Sequence, residues 1–376
     1  MKISVQKETM VTAINQVSKA VSARTTLPIL TGIKLTSTDK GIELTGSDGD
    51  ISITTFIPCE MNGDTLVEVE KDGSIVLQGK FFSDIIKKLP KDDLQINVDN
   101  LVSTIKSGKS KFTLNGLDSE EYPRLPVIDD ENTITLSARK LKELIHQTVF
   151  AVSTSESRPV LTGVQWKVDS DVLIATATDS HRLSRREVAI KGLNEPVSVV
   201  VPGKSLVELN KVLEDTDEEV DIILEETQII FRYRYLTFYT RLLEGNYPDT
   251  SRLIPTQSKT VLILNKAEYS ESLSRASVLL ASSKNKVVKM TINKDNMFID
   301  LTAKAPEIGE VKDELLAISL EGDDLELSYS AKYMLDALKT MGNEIEIEFN
   351  GAMRPFVIRE KGKSDLLQIV LPVRTY

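Results

Sequence analysis

The chain has 376 residues, 41% hydrophobic and 27% charged, a globular composition with room for roughly two to four domains. One cysteine, Cys59, and two histidines, His146 and His181, exclude an intrachain disulfide framework and a His/Cys zinc set. The net charge of −10, taken alone, argues against a partner rich in phosphate.

In chain order, the start MKISVQKE lacks the apolar core of a signal peptide, and no apolar run approaches the roughly 18 residues that cross a bilayer. A cytoplasmic protein is expected. Met10, Ile14, Val17 and Val21 fall at helical spacing and predict a helix over 7–24. Asp39-Lys40-Gly41 and Lys71-Asp72-Gly73 read as hairpin turns, and the run from Ile51 to Phe56 as a strand. Cys59, beside Pro58, reads as a small structural thiol. A second helix is expected over 80–88 on Phe82, Ile85, Ile86 and Leu89. Ser107-Gly108-Lys109-Ser110 looks like the tail of a phosphate-binding loop, yet Ser103 stands where its leading glycine belongs and strand-like sequence follows.

The plan then restarts. A polar, Pro-bearing linker is expected near Pro126–Asn132, with helices over 139–149 and 204–213 carried by Leu141, Leu144, Ile145, Leu206, Leu209 and Val212. A second linker is expected near Leu253–Ser258, with helices over 266–275 and 332–339 and an alternating strand over 344–349. Pro28-Ile29-Leu30-Thr31-Gly32-Ile33 returns as Pro159-Val160-Leu161-Thr162-Gly163-Val164, and Glu121-Tyr122-Pro123 is echoed by Asn246-Tyr247-Pro248. A period this long is a copied domain rather than a solenoid unit. The reading is an α+β protein of three similar domains, 1–126, 127–254 and 255–376, each with two helices packed on β-sheets.

Charge is sorted along this plan. The six expected helices hold 15 Lys/Arg against seven Asp/Glu, and the remaining chain 31 against 49. Lys and Arg solvate any exposed helix face. The sharper reading puts all six helices on one surface facing a polyanion, gripping duplex DNA by its phosphates without reading bases.

Ala177-Thr178-Asp179-Ser180-His181-Arg182-Leu183 is the most unusual local string. Asp179, Ser180 and His181 are the residue types of a hydrolase triad, but three consecutive residues in an extended segment do not converge, and no G-x-S-x-G elbow surrounds Ser180. No enzyme is expected. Together with Leu27-Pro28-Ile29-Leu30, Arg158–Gly163, Tyr247-Pro248-Asp249 and Leu371-Pro372-Val373-Arg374, the string resembles the bacterial DNA polymerase III β-subunit family, the replicative sliding clamps. The resemblance covers the whole chain.

It implies the DNA-clamp fold, closed into a ring as a head-to-tail homodimer, encircling double-stranded DNA without a cofactor or metal. It implies partners, namely the polymerase III alpha subunit, the clamp loader and other clamp-motif proteins, and no membrane. Residue by residue it implies DNA contacts at Arg24, Arg158 and Lys204. It implies a peptide-binding pocket between the middle and last domains. Leu161, Thr178, His181, Arg182 and Leu183 form one wall, Pro248, Arg252 and Leu253 the next, and Tyr333, Met353, Leu371, Pro372, Val373 and Arg374 the rest. Two positions depart from the family pattern: Ser180, where many members have Gly, and Val373, where many have Met.

Overall fold

The computed structural model describes residues 1–22, 25–90, 93–126, 128, 132–191, 195–280, 286–295, 297–305 and 307–374. They form two compact units, Met1–Leu141 with Lys204–Leu242, and Lys142–Gly203 with Leu243–Tyr376. Six α-helices are present among these residues: α1 (Lys7–Val17), α2 (Gly79–Lys88), α3 (Ala138–Thr148), α4 (Gly203–Val212), α5 (Lys266–Leu279) and α6 (Ala331–Leu338).

In the first unit an eight-stranded sheet runs from Thr133–Ser137 through Glu219–Leu224, Gln228–Tyr233 and Leu236–Arg241, then on through Ile51–Pro58, Gly41–Ser47 and Gly32–Thr38 to Gly73–Gln78. The join lies where Ile51–Pro58 pairs antiparallel with Leu236–Arg241, so strands of the middle third continue a sheet of the first. A five-stranded sheet ends in the strand Ser110–Asn115. Helices α1 and α2 pack together, burying Met10, Ile14 and Val17 from one and Phe82 and Ile86 from the other. Pro90 follows α2, and the Lys7 ammonium donates to the Leu89 carbonyl that α2 leaves open.

The second unit repeats the scheme. Its nine-stranded sheet joins Arg182–Ala189 to Leu366–Val370, again antiparallel. A four-stranded sheet ends in Gly309–Leu316. Helices α5 and α6 pack on each other over a core that includes Tyr269, Leu273, Met334, Leu338, Ile345 and Ile347. The hydroxyls of Tyr269 and Tyr329 meet at 2.6 Å inside it, so neither polar tip is left bare, and burial raises both hydroxyl pKa values. Asn265 and Ser330 cap α5 and α6 by accepting backbone N–H bonds.

Two expectations are corrected. The first helix stops at Val17 rather than 24, because tighter bonds from Lys19 and Ala20 to the carbonyls of Gln16 and Val17 close it, and Gly46 passes against the Val17 carbonyl. Lys71-Asp72-Gly73 is a corner, not a hairpin: Val67–Lys71 pairs in the five-stranded sheet, and Gly73–Gln78 in the eight-stranded one. In the second expected linker, Leu253–Ser258, Ile254 packs against Leu183, Val357, Leu367 and Ile369. Most of the other expected linker lies outside the described residues. Ser107-Gly108-Lys109-Ser110 is a plain hairpin turn leading into a strand.

Candidate functional site

The string around His181 is a turn between the strands Val172–Thr178 and Arg182–Ala189. Its two capping side chains fix it. Asp179 Oδ1 accepts the N–H groups of His181 at 2.9 Å and Arg182 at 3.0 Å. Thr178 Oγ1 accepts from Ser180 N–H at 3.1 Å and donates to the Arg182 carbonyl at 2.6 Å. Ser180 takes φ +75°, the left-handed region that suits glycine. With Asp179 committed to backbone amides and to Arg182, it does not orient the His181 ring as a triad acid would.

Arg182 organises the surroundings. Its side chain is 10% exposed; Nε donates to Asp179 at 3.0 Å and Nη1 to Asp336 on α6 at 2.9 Å. Nη2 donates to the Phe150 carbonyl at 2.6 Å, and the guanidinium lies over the rings of Tyr333 and Phe150. The exposed His181 ring stacks near Tyr333, centroids 6.4 Å apart and planes within 18°.

The C-terminal segment is seated by two backbone bonds, Leu371 N–H to the His181 carbonyl at 3.0 Å and Val373 N–H to Ser328 at 2.7 Å. Leu371 thereby joins the apolar cluster of Leu183 and Ile369. Val373 and Arg374 then line a groove of about 340 Å³ with Met353, Ala352 and Glu326–Ser328. The Tyr247 hydroxyl accepts the Thr178 N–H at 3.0 Å, which anchors the chain just before the exposed Pro248. Burial raises the pKa of that hydroxyl. Arg252 and Leu253 follow, both exposed, with Arg252 Nε 3.9 Å from Asp249.

The expected pocket residues therefore fall into two groups. His181, Pro248, Arg252, Leu253, Met353 and Arg374 are exposed, and Tyr333, Leu371, Pro372 and Val373 half-buried. Leu161, Thr178, Arg182 and Leu183 are buried. Asp336 and Phe150, which hold Arg182, carry no local motif that sequence reasoning could find. The mixture of apolar surface with a few polar groups suits a short linear peptide.

Of the expected DNA contacts, Arg24 lies outside the described residues. Arg158 is exposed just before the turn Pro159–Thr162, with no ion pair among the described residues. Lys204 is the second residue of α4 and 77% exposed, with Nζ 3.7 Å from Asp48 Oδ2. Lys80 was missed. A Cβ on Gly79 would sit 3.2 Å from the Thr31 carbonyl, and one on Gly203 2.8 Å from that of Thr162. The two helices start against the same repeated turn, each with Gly then Lys. Lys332 holds the matching place in α6, and the repeat period itself was the available signal. Over the observed helices the charge is 12 Lys/Arg against seven Asp/Glu, still basic although Lys19 and Lys339 fall outside them.

Models of the DNA polymerase III beta subunit match along the chain: the N-terminal domain over residues 1–126, the central domain over 135–249 and the C-terminal domain over 251–374. The chain belongs to the DNA polymerase III beta-subunit family. It is 50% identical to the beta sliding clamp of Bacillus subtilis and 44% identical to that of Staphylococcus aureus, each across 100% of both chains. The crystal structure of the DNA polymerase sliding clamp from Bacillus subtilis superposes with a TM-score of 0.98 at 50% identity, again covering 100% of both chains. The three-domain clamp fold is thus that of the family, and the chain is a non-catalytic processivity factor, not an enzyme. No helix among the described residues is long and apolar enough to cross a membrane.

Proposed function

We propose that two copies of this chain, each of three domains bounded at 1–126, 127–254 and 255–376, close head to tail into a ring around duplex DNA. The ring tethers the polymerase III alpha subunit, and in turn the clamp loader and other clamp-motif proteins, through the groove beside Tyr333. Arg24, Arg158 and Lys204 contact phosphates. The peptide lies against His181, Pro248, Arg252, Leu253, Tyr333, Met353 and Leu371–Arg374, over a wall shaped by Leu161, Thr178, Arg182 and Leu183. The setting is the cytoplasm. The observation that carries this reading is full-length likeness to sliding clamps combined with a threefold internal repeat.

Two sheet ends support ring closure. The terminal strand Ser110–Asn115 carries exposed Phe112 beside Lys109 and Lys111. The terminal strand Gly309–Leu316 carries exposed Leu316 with Glu310, Asp313 and Glu314. Open edges of opposite charge with apolar residues suit pairing between copies. The other end of the five-stranded sheet, Val67–Lys71, bears Glu68 and Glu70 and would repel that acidic strand. A head-to-tail contact of unlike surfaces makes a ring when its rotation closes.

A topological link gives high effective concentration without tight DNA affinity. Weak, sequence-blind phosphate contacts then suffice, and an acidic protein is no contradiction. The test is loading onto a nicked circular plasmid with a clamp loader and ATP, followed by a single double-strand cut. Rapid loss after the cut is expected; persistence would mean direct DNA affinity and would overturn the ring.

A further inference from the structure

The turn at Thr178–Arg182 occurs twice. In Ser47-Asp48-Gly49-Asp50-Ile51, Asp48 Oδ1 accepts the N–H groups of Asp50 at 3.0 Å and Ile51 at 2.8 Å. Ser47 Oγ accepts from Gly49 N–H and donates to the Ile51 carbonyl, both at 3.2 Å, and Gly49 has φ +97°. These are the bonds of Thr178-Asp179-Ser180-His181-Arg182, one repeat earlier. The difference is at the last position, where Ile51 replaces Arg182. The carboxylate oxygen that Asp179 gives to its own turn's arginine has no such partner in Asp48. It lies instead 3.7 Å from Lys204 Nζ at the start of α4.

We propose that Asp48 is a positioning residue for the DNA-facing Lys204: it holds and partly neutralises that ammonium, keeping its phosphate contact weak and quickly exchanged. The proposal rests on the reading of Lys204 as a DNA contact. The carboxylate is the fixed partner, since its side chain is 16% exposed and bound to two amides, whereas Lys204 is 77% exposed on a flexible stem. Each cation that engages DNA releases counterions and strengthens a contact that sliding must break. A tethered ring gains nothing from such strength. Arg158, with no acid joined to it among the described residues, lacks this restraint.

The test measures binding of the full-length protein to a short fluorescent duplex across a salt series, for Asp48→Asn, Lys204→Ala and the double variant. Asn keeps the oxygen that caps the turn, so the melting temperature should hold. Asp48→Ser, whose hydroxyl caps the same amides, serves as a second variant should Asn fold poorly. Asp48→Asn is expected to tighten binding roughly threefold, the scale of an exposed ion pair, with a steeper salt slope. The double variant should bind as Lys204→Ala does. If Asp48→Asn tightens binding equally without Lys204, only general repulsion was removed, and the proposal falls. If Lys204→Ala weakens binding but Asp48→Asn changes nothing, the restraint is refuted while the DNA contact stands. If Lys204→Ala has no effect, both fail.

Discussion

The guanidinium of Arg182 lies 4.6 Å from the centre of the Tyr333 ring and donates to Asp336 one turn further along α6. One buried cation thus ties the Asp179 turn to the helix that presents the aromatic wall. Truncation by Arg182→Ala strands two carboxylates and a carbonyl, and a broken buried pair costs about 3–5 kcal/mol. Thermal melting should show that loss. Arg182→Lys keeps the charge but not the fork and should fall between. Peptide binding should weaken about tenfold or more in Arg182→Ala, since His181 and Tyr333 lose their support. Unchanged melting would show that the ion pairs contribute nothing.

Ser180 holds a left-handed backbone conformation with its side chain exposed. Ser180→Gly removes that strain, partly offset by the freedom glycine gains in the unfolded chain, and should stabilise the protein by about 0.5–1 kcal/mol. The twin turn already has Gly49 at this place. Differential scanning calorimetry reads the shift, and a lower melting temperature would mean the seryl conformation is not strained.

Periodic elements were legible because burial imposes their period: Phe82 and Ile86 fall on the buried face of α2, and Ile345, Ile347 and Phe349 alternate inward. The corner at Asp72-Gly73 was not, because which sheet a strand joins is set by distant partners, here Lys2–Val5 and Gly32–Thr38. The contacts around Arg182 were legible only in part. The strings that carry the family resemblance include His181 and Leu371, but Asp336 meets Arg182 from 154 residues away, and no local pattern encodes that distance. The Asp48–Lys204 pair was hidden for the same reason.

The terminal strand Ser110–Asn115 offers a direct test of closure. Phe112→Asp places a carboxylate on an edge proposed to meet Glu310 and Glu314 of a second copy. Phe112 is 42% exposed in the single chain, so folding should survive while association falls. Analytical ultracentrifugation should show a monomer at concentrations where the unaltered protein is a dimer, with a normal melting curve. A persistent dimer would place the closing contact elsewhere.

Tyr333 and Ser205 occupy matching places, two residues into the helix beyond Ala331 and Gly203. At Ser205 the chain has a small hydroxyl, hydrogen-bonded to Thr240 at 2.7 Å, in place of the aromatic ring. Tyr333→Ser should therefore remove the ring that flanks Arg182 and His181. The ring is half-buried between His181 and the Arg182 guanidinium, the setting in which an aromatic anchor contributes about 2 kcal/mol or more to binding. Fluorescence anisotropy with peptides tiled across the polymerase III alpha subunit should show the best binder weakened at least about tenfold. Retention on circular DNA should not change, because the tether is topological. Equal peptide affinity in the variant would move the binding site away from this groove. Faster loss from intact circles would instead implicate α6 in the ring itself.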